Sequence, residues 1–180
     1  VLIAATAYDT EKNLGRAYNE TMSRALPGDW VVFLDHDAIW TTAEWYPQIL
    51  RAIDAHPTAG LFTAVTNRIG RKEQIAPGAP AGHDMREHRA LGKRLFEQHG
   101  SRAVDMTMGG CVSGVVMCLS VETWEAMGYF RDGFFGVDNE AHKAVRRIGK
   151  RVLLLPGLYV YHWYRADGVG HKNAPKARKS

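Results

Sequence analysis

At 180 residues, 46% apolar and 23% charged, the chain has the make-up of a single globular domain, able to bury roughly two thirds of its unfolded surface. No apolar run approaches the ~18 residues of a membrane-spanning helix. Much of the net charge of +4 comes from the basic tail over 166–180, which suits peripheral contact with an anionic membrane surface. A nucleic-acid partner is not expected, because no aromatic-plus-basic motif accompanies the charge.

Residues 1–7 (VLIAATA) read as a first buried strand, and residues 13–26 have helical spacing, with Leu14, Ala17, Met22 and Leu26 near one face. Pro27-Gly28-Asp29 stops that helix, and residues 30–34 (WVVFL) form a second strand. A buried parallel strand reads as a continuous apolar run, and ligands gather at the carboxyl ends of such strands. Asp35-His36-Asp37 stands at that end. Two carboxylates one residue apart can share a hard cation, Mn²⁺ or Mg²⁺, whose remaining positions phosphate oxygens and water fill. The same three residues also suit a solvated turn.

Thr42 is placed to cap a helix over 43–55, which His56-Pro57 ends. Residues 61–66 (LFTAVT) form a short strand, and the Gly-, Pro- and Ala-rich stretch 67–82 is a loop. Its Arg68, Arg71 and Lys72 fit either an acidic acceptor or a solvated cluster. A polar amphipathic helix spans 84–98. Strands follow over 104–108 and 111–119, interrupted by Gly109-Gly110. Cys111 and Cys118 lie an odd number of residues apart on the second of these, hence on opposite faces. They read as free thiols in a reducing cytoplasm. Ser120 caps a helix over 121–127, a further helix spans 139–148, and the last strands, 152–155 and 158–163, are split by Pro156-Gly157. The expected fold class is α/β: one compact domain with a mixed central sheet flanked by helices.

Three positions join the carboxylate pair as candidates. Asp138, just before a helix, is either its N-cap or a general base, and one oxygen suffices for the cap. His162 alternates onto the face of Leu158 and Val160, so it is either a core histidine or a strand-end ligand. An imidazole ligand favours Mn²⁺ over Mg²⁺. Tyr8-Asp9, after the first strand, is either a turn or a platform on which a nucleobase stacks while the carboxylate accepts from a base N–H or a ribose hydroxyl.

Together these motifs resemble the large inverting family 2 of GT-A glycosyltransferases. Asn13-Leu14-Gly15-Arg16-Ala17-Tyr18-Asn19 leading to Asp35-His36-Asp37 is similar to that family's N-x-G-x-x-x-N helix and D-x-D. Gly109-Gly110, then Trp124 to Phe130 and Phe135-Gly136-Val137-Asp138, resemble its acceptor-side sheet and acidic helix. Gly149-Lys150-Arg151 through Pro156-Gly157 to Tyr161-His162 resembles its closing strand. The resemblance implies a GT-A-like (Rossmann-like) domain over residues 1–165, followed by the tail. It also implies metal-dependent transfer from a nucleotide-diphosphate sugar, UDP- rather than GDP-linked, to a hydroxyl of a glycan, lipid-linked or other acceptor, with inversion. Carried over, Asp35 contacts donor ribose or metal, Asp37 and His162 ligate the metal, and Asp138 is the base. Gly109 and Gly110 let the backbone approach the donor sugar, and Arg165 neutralises diphosphate. Val137 stands where the family has an acid. Only residues 9–12 stand where the family has a strand-helix-strand unit that supplies an Asp to the nucleobase, which leaves Tyr8 and Asp9 to that role. This shortening also admits a degenerate module that binds nucleotide or glycan without turnover.

Overall fold

Short apolar runs alternating with amphipathic ones build a seven-stranded sheet in the computed structural model, which describes residues 1–164. Arg165 and the tail over 166–180 lie outside the described residues. The strands are β1 (Leu2–Ala5), β2 (Trp30–Leu34), β3 (Ala38–Trp40), β4 (Ala59–Thr66), β5 (Val104–Asp105), β6 (Val116–Ser120) and β7 (Arg151–His162). Their order is β1-β2-β6-β4-β7-β3, with β5 also paired to β7. β1 runs parallel to β2, and β4 to β7, whereas β6 is antiparallel to both its neighbours. The sheet is mixed, as expected.

Every residue of β4 is buried, which its uncharged sequence AGLFTAVT permits at the sheet centre. Helices α1 (Leu14–Met22), α3 (Met85–His99), α4 (Val121–Ala126) and α5 (Val137–Arg147) cover one face through Met22, Leu91, Trp124 and Val145. Helix α2 (Trp45–Ala55) covers the other through Ile49 and Ala52. Among the described residues no helix is long and apolar enough to cross a membrane.

Several boundaries differ from the sequence reading. β7 runs unbroken through Pro156-Gly157, and the expected split survives as a register jump: Ala64 pairs with Leu155, Val65 with Tyr159. Proline has no N–H for the ladder, and the irregularity absorbs the missing bond. A Cβ at Gly157 would strike the Gly100 carbonyl oxygen. Three-residue β3 has no counterpart in the sequence reading, because it is too short to show alternation. Cys111 falls before β6, so only Cys118 is on a strand; both are free, and burial pushes the Cys118 thiol up. Thr42 does not cap α2, which starts at Trp45 with no side-chain cap; the Thr41 hydroxyl instead donates to the Tyr159 carbonyl at 2.6 Å. Helix α5 starts at Val137, so Asp138 lies inside its first turn.

The N-x-G-x-x-x-N pattern has a packing role. Asn13 Oδ1 caps α1 by accepting from Arg16 N and also accepts from Gly133 N, at 3.0 and 2.9 Å. Gly15 N donates to Gly133 O, and a Cβ there would run into the Arg131 carbonyl. Asn19 donates through Nδ2 to Phe130 O and accepts through Oδ1 from Phe130 N and Trp124 Nε1, all at 2.9 Å. Residues 130–133 are thereby pinned to α1, and they feed directly into α5. Asn19→Ala strands two donors and one acceptor, so a loss of about 2–3 kcal/mol is expected in urea melts. A loss below about 0.5 kcal/mol would show that packing alone holds the segment.

Candidate active site

β2 ends at Leu34, and the chain turns at once: Ala38 N donates to the Asp35 carbonyl at 3.0 Å. β3 then pairs with the end of β7 in the register Ala38↔His162, and Trp163 N donates to the Asp37 carbonyl at 2.9 Å. These backbone contacts set the His162 ring against the carboxylate pair. Its Nε2 lies 3.1 Å from Asp37 Oδ1 and 3.9 Å from Asp35 Oδ2. One ligand atom from each of the three residues falls within 4.8 Å of the others.

His162 is only 4% exposed, yet it is not held by hydrocarbon. Its Nδ1 is 2.9 Å from the Arg68 carbonyl, which can only accept, so the proton sits on Nδ1 and Nε2 faces the carboxylates. There Nε2 either takes a second proton and donates to Asp37, or offers its lone pair to a cation. The Asn67 side chain grips the His162 backbone from both sides, accepting from its N–H at 2.7 Å and donating to its C=O at 3.3 Å. Burial pushes Asp35 up to about 6, opposed by the charge of His162 and reinforced by that of Asp37. Burial acts on Asp37 in the same sense, but its hydrogen bond with His162 and the charges of His162 and His36 outweigh it and hold Asp37 below the usual carboxylate range. Two hard carboxylates and an imidazole whose distal nitrogen is carbonyl-bound form a donor set that fits a divalent cation.

Asp138 faces the same cleft from α5. Gly136, at φ 75°, turns the chain into the helix, and Asp138 Oδ2 accepts from Gly114 N at 3.0 Å while Oδ1 accepts from Asn139 N at 2.8 Å. It is therefore not the N-cap. Val137, where the family resemblance led to an acid, is buried in the core, which leaves one carboxylate here.

The cleft has a volume of ≈ 540 Å³, and its lining holds Tyr8, Asp9, Asp35, Asp37, Asp138 and His162 together. Tyr8 is 75% exposed at its edge. Both oxygens of Asp9 are engaged by Arg16, Nε to Oδ2 at 2.7 Å and Nη2 to Oδ1 at 2.9 Å, and Oδ1 also accepts from Glu11 N. The Arg16 hydrogen bonds, against a smaller effect of burial, hold Asp9 below its ordinary range. Gly109 and Gly110 do not line this cleft: a Cβ at Gly110 would strike the Arg71 guanidinium instead. The glycine that permits close approach is Gly114, where a Cβ would come 3.1 Å from that of Asp138. Ser113-Gly114 preceding the apolar run 115–119 is the signal that marks it. Asn67 and the Arg68 carbonyl carried no sequence signal, because both act through the backbone of β7 or their own. Arg165 lies outside the described residues.

The model of the family described as Glycosyl transferase family 2 matches residues 7–112. That span includes α1 and Asp35-His36-Asp37 and ends before Asp138 and His162. No curated protein matches the chain. Among solved structures, a crystal structure of GalNAc-T7 with UDP, GalNAc and Mn²⁺ is similar at a TM-score of 0.58 and 15% identity, covering 86% of this chain and 31% of that one. The mixed sheet is thus of the GT-A, Rossmann-like type.

A cation held by this donor set would compete with protons for Asp35. Below about pH 6 its carboxyl is protonated, and Mn²⁺ affinity measured by calorimetry is expected to fall roughly tenfold per pH unit. Affinity constant between about pH 5 and 7 would separate Asp35 from the metal set. A raised carboxyl favours the metal-free fold at low pH, and that contribution is lost as pH rises through about 6. Asp35→Asn should therefore raise the metal-free Tm at neutral pH by about 2–4 °C, as about 1 kcal/mol does in a chain of this size, while Mn²⁺ no longer raises it.

Proposed function

The chain belongs to glycosyl transferase family 2, and we propose that it moves a sugar from a nucleoside-diphosphate sugar to an acceptor hydroxyl, with inversion at the anomeric carbon. The observation that carries this reading is the meeting of two functions in one cleft: a carboxylate–carboxylate–imidazole set, and a separate carboxylate, Asp138. The chain spans 31% of the GalNAc-T7 chain it resembles. A UDP-linked donor and Mn²⁺ are favoured by that structure, which holds UDP and Mn²⁺, and by the imidazole among the ligands.

Asp35, Asp37 and His162 would hold the cation, which when bound offsets the charge gathering on the leaving diphosphate. The Arg68 carbonyl keeps the His162 proton on Nδ1, so Nε2 is the nitrogen presented. Asp138 takes the proton of the acceptor hydroxyl as that oxygen bonds to the anomeric carbon. The bond from that carbon to the diphosphate oxygen breaks, and its electron pair leaves with the nucleotide. Each Asp138 oxygen accepts one backbone N–H, which leaves a lone pair on each for the incoming hydroxyl. A single displacement with one base accounts for inversion. Tyr8 offers an exposed ring for the nucleobase, and the acceptor is a glycan, lipid-linked or other hydroxyl compound.

A second reading, a nucleotide- or glycan-binding module without turnover, is favoured by one observation. β1 is an edge strand, and only residues 6–13 separate it from α1. Donor hydrolysis or transfer that requires Mn²⁺ excludes it. Asp37→Ala should lower kcat by a factor on the order of 10² or more and abolish calorimetric Mn²⁺ binding; full metal-dependent transfer by this variant would refute the assignment. Asp138→Asn should leave the Kd for UDP and Mn²⁺ nearly unchanged and lower kcat on the order of 10²-fold or more. Wild-type kcat would leave Asp138 a purely structural contact of Gly114.

A further inference from the structure

Gln74 lies outside the cleft, at the end of the 3-10 turn Lys72–Gln74, with its side chain fully buried. Its Oε1 accepts from Ser113 N at 2.7 Å and its Nε2 donates to Ser113 O at 3.0 Å, gripping one residue through both backbone groups as a neighbouring strand would. The same Nε2 is 3.0 Å from Thr63 Oγ1, which ties the amide to central strand β4. The Ser113 carbonyl and the Gly114 N–H belong to one planar peptide unit, so fixing the first fixes the direction of the second. That second group is the one that donates to Asp138 Oδ2 at 3.0 Å. Donation into the carbonyl also polarises the peptide and strengthens its N–H as a donor.

We propose that Gln74 is a positioning residue for the Asp138 carboxylate, acting through the Ser113–Gly114 peptide without touching substrate. The inference rests on the reading of Asp138 as the base. The relay joins β4, a strand buried along its whole length, to the first turn of α5, and it constrains Oδ2 while leaving the candidate cation ligands in the β2–β3 turn and on β7 untouched. A merely structural glutamine would lower stability alone. A positioning one lowers kcat, and does so only while Asp138 is able to act.

Gln74→Met keeps the side-chain length and removes the hydrogen bonds. It is expected to lower kcat roughly tenfold, as a slightly misplaced base does, with the donor KM and Mn²⁺ Kd within about twofold of wild type. In the Asp138→Asn background the same substitution should change kcat less than about twofold, because the two act as one unit. The Gly114 amide proton, deshielded by a carboxylate acceptor, should move upfield in Gln74→Met, as in Asp138→Ala. If Gln74→Met does not fold, Gln74→Glu, which keeps the acceptor for Ser113 N, is read in the same way. A tenfold loss that persists in the Asp138→Asn background overturns the proposal. So does wild-type kcat in Gln74→Met beside an impaired Asp138→Asn, and so does an unmoved Gly114 resonance. Wild-type kcat in Asp138→Asn alone marks a different failure, that of the base reading itself, and removes the positioning role with it.

Discussion

The antiparallel pairing of β3 with the end of β7 is the contact on which the candidate site depends. Asp37 and His162 are 125 residues apart, and no local preference brings them together. The register Ala38↔His162 does, and the Trp163 N–H to the Asp37 carbonyl closes the ladder directly beneath the two side chains. Because side chains in a strand alternate with a period of two, a slip of one residue would send the His162 ring to the other face. The Asn67 side chain guards against that slip by occupying the backbone groups of His162 where no further strand supplies partners.

The cleft concentrates negative charge. Asp35, Asp37 and Asp138 face one another across it, with Asp9 already neutralised by Arg16, while the chain's net +4 comes largely from the tail over 166–180. An anionic donor of the kind proposed would meet repulsion in such a space unless a cation were held there. The raised Asp35 carboxyl expresses the same cost within the protein: a carboxylate kept partly from water beside another carboxylate. Such unrelieved charge has meaning at a ligand site and little as a stability device.

The opposite wall is rigid for a separate reason. Asn19 and Gly15 of α1 and its N-cap Asn13 hold residues 130–133, and those residues lead into α5. Gly114 approaches Asp138 from the turn before β6, so the carboxylate is located by two independent parts of the chain. The motif around Asn13 and Asn19, read from sequence as a family likeness, is physically a docking surface. It acts on the cleft at one remove.

Local periodicity made most elements legible: the apolar runs of β2 and β4, the helical spacing of α1 and α3, and the Ser120 cap of α4. Asp35 and Asp37 were legible too, because the strand end before them is a local feature. Other assignments needed the third dimension. The sequence pointed to Gly109 and Gly110 where Gly114 lines the cleft, left Asp138 between a base and a cap it does not form, and left the orientation of His162 open. The sequence by itself determined which side chains are available and on which strand or helix each is carried, since those follow from neighbours a few residues away. Tertiary structure alone decided which of them meet, which nitrogen of His162 is presented and which peptide faces Asp138. Those depend on strand register and on hydrogen bonds between residues 24 to 125 positions apart, and no short-range pattern encodes such distances.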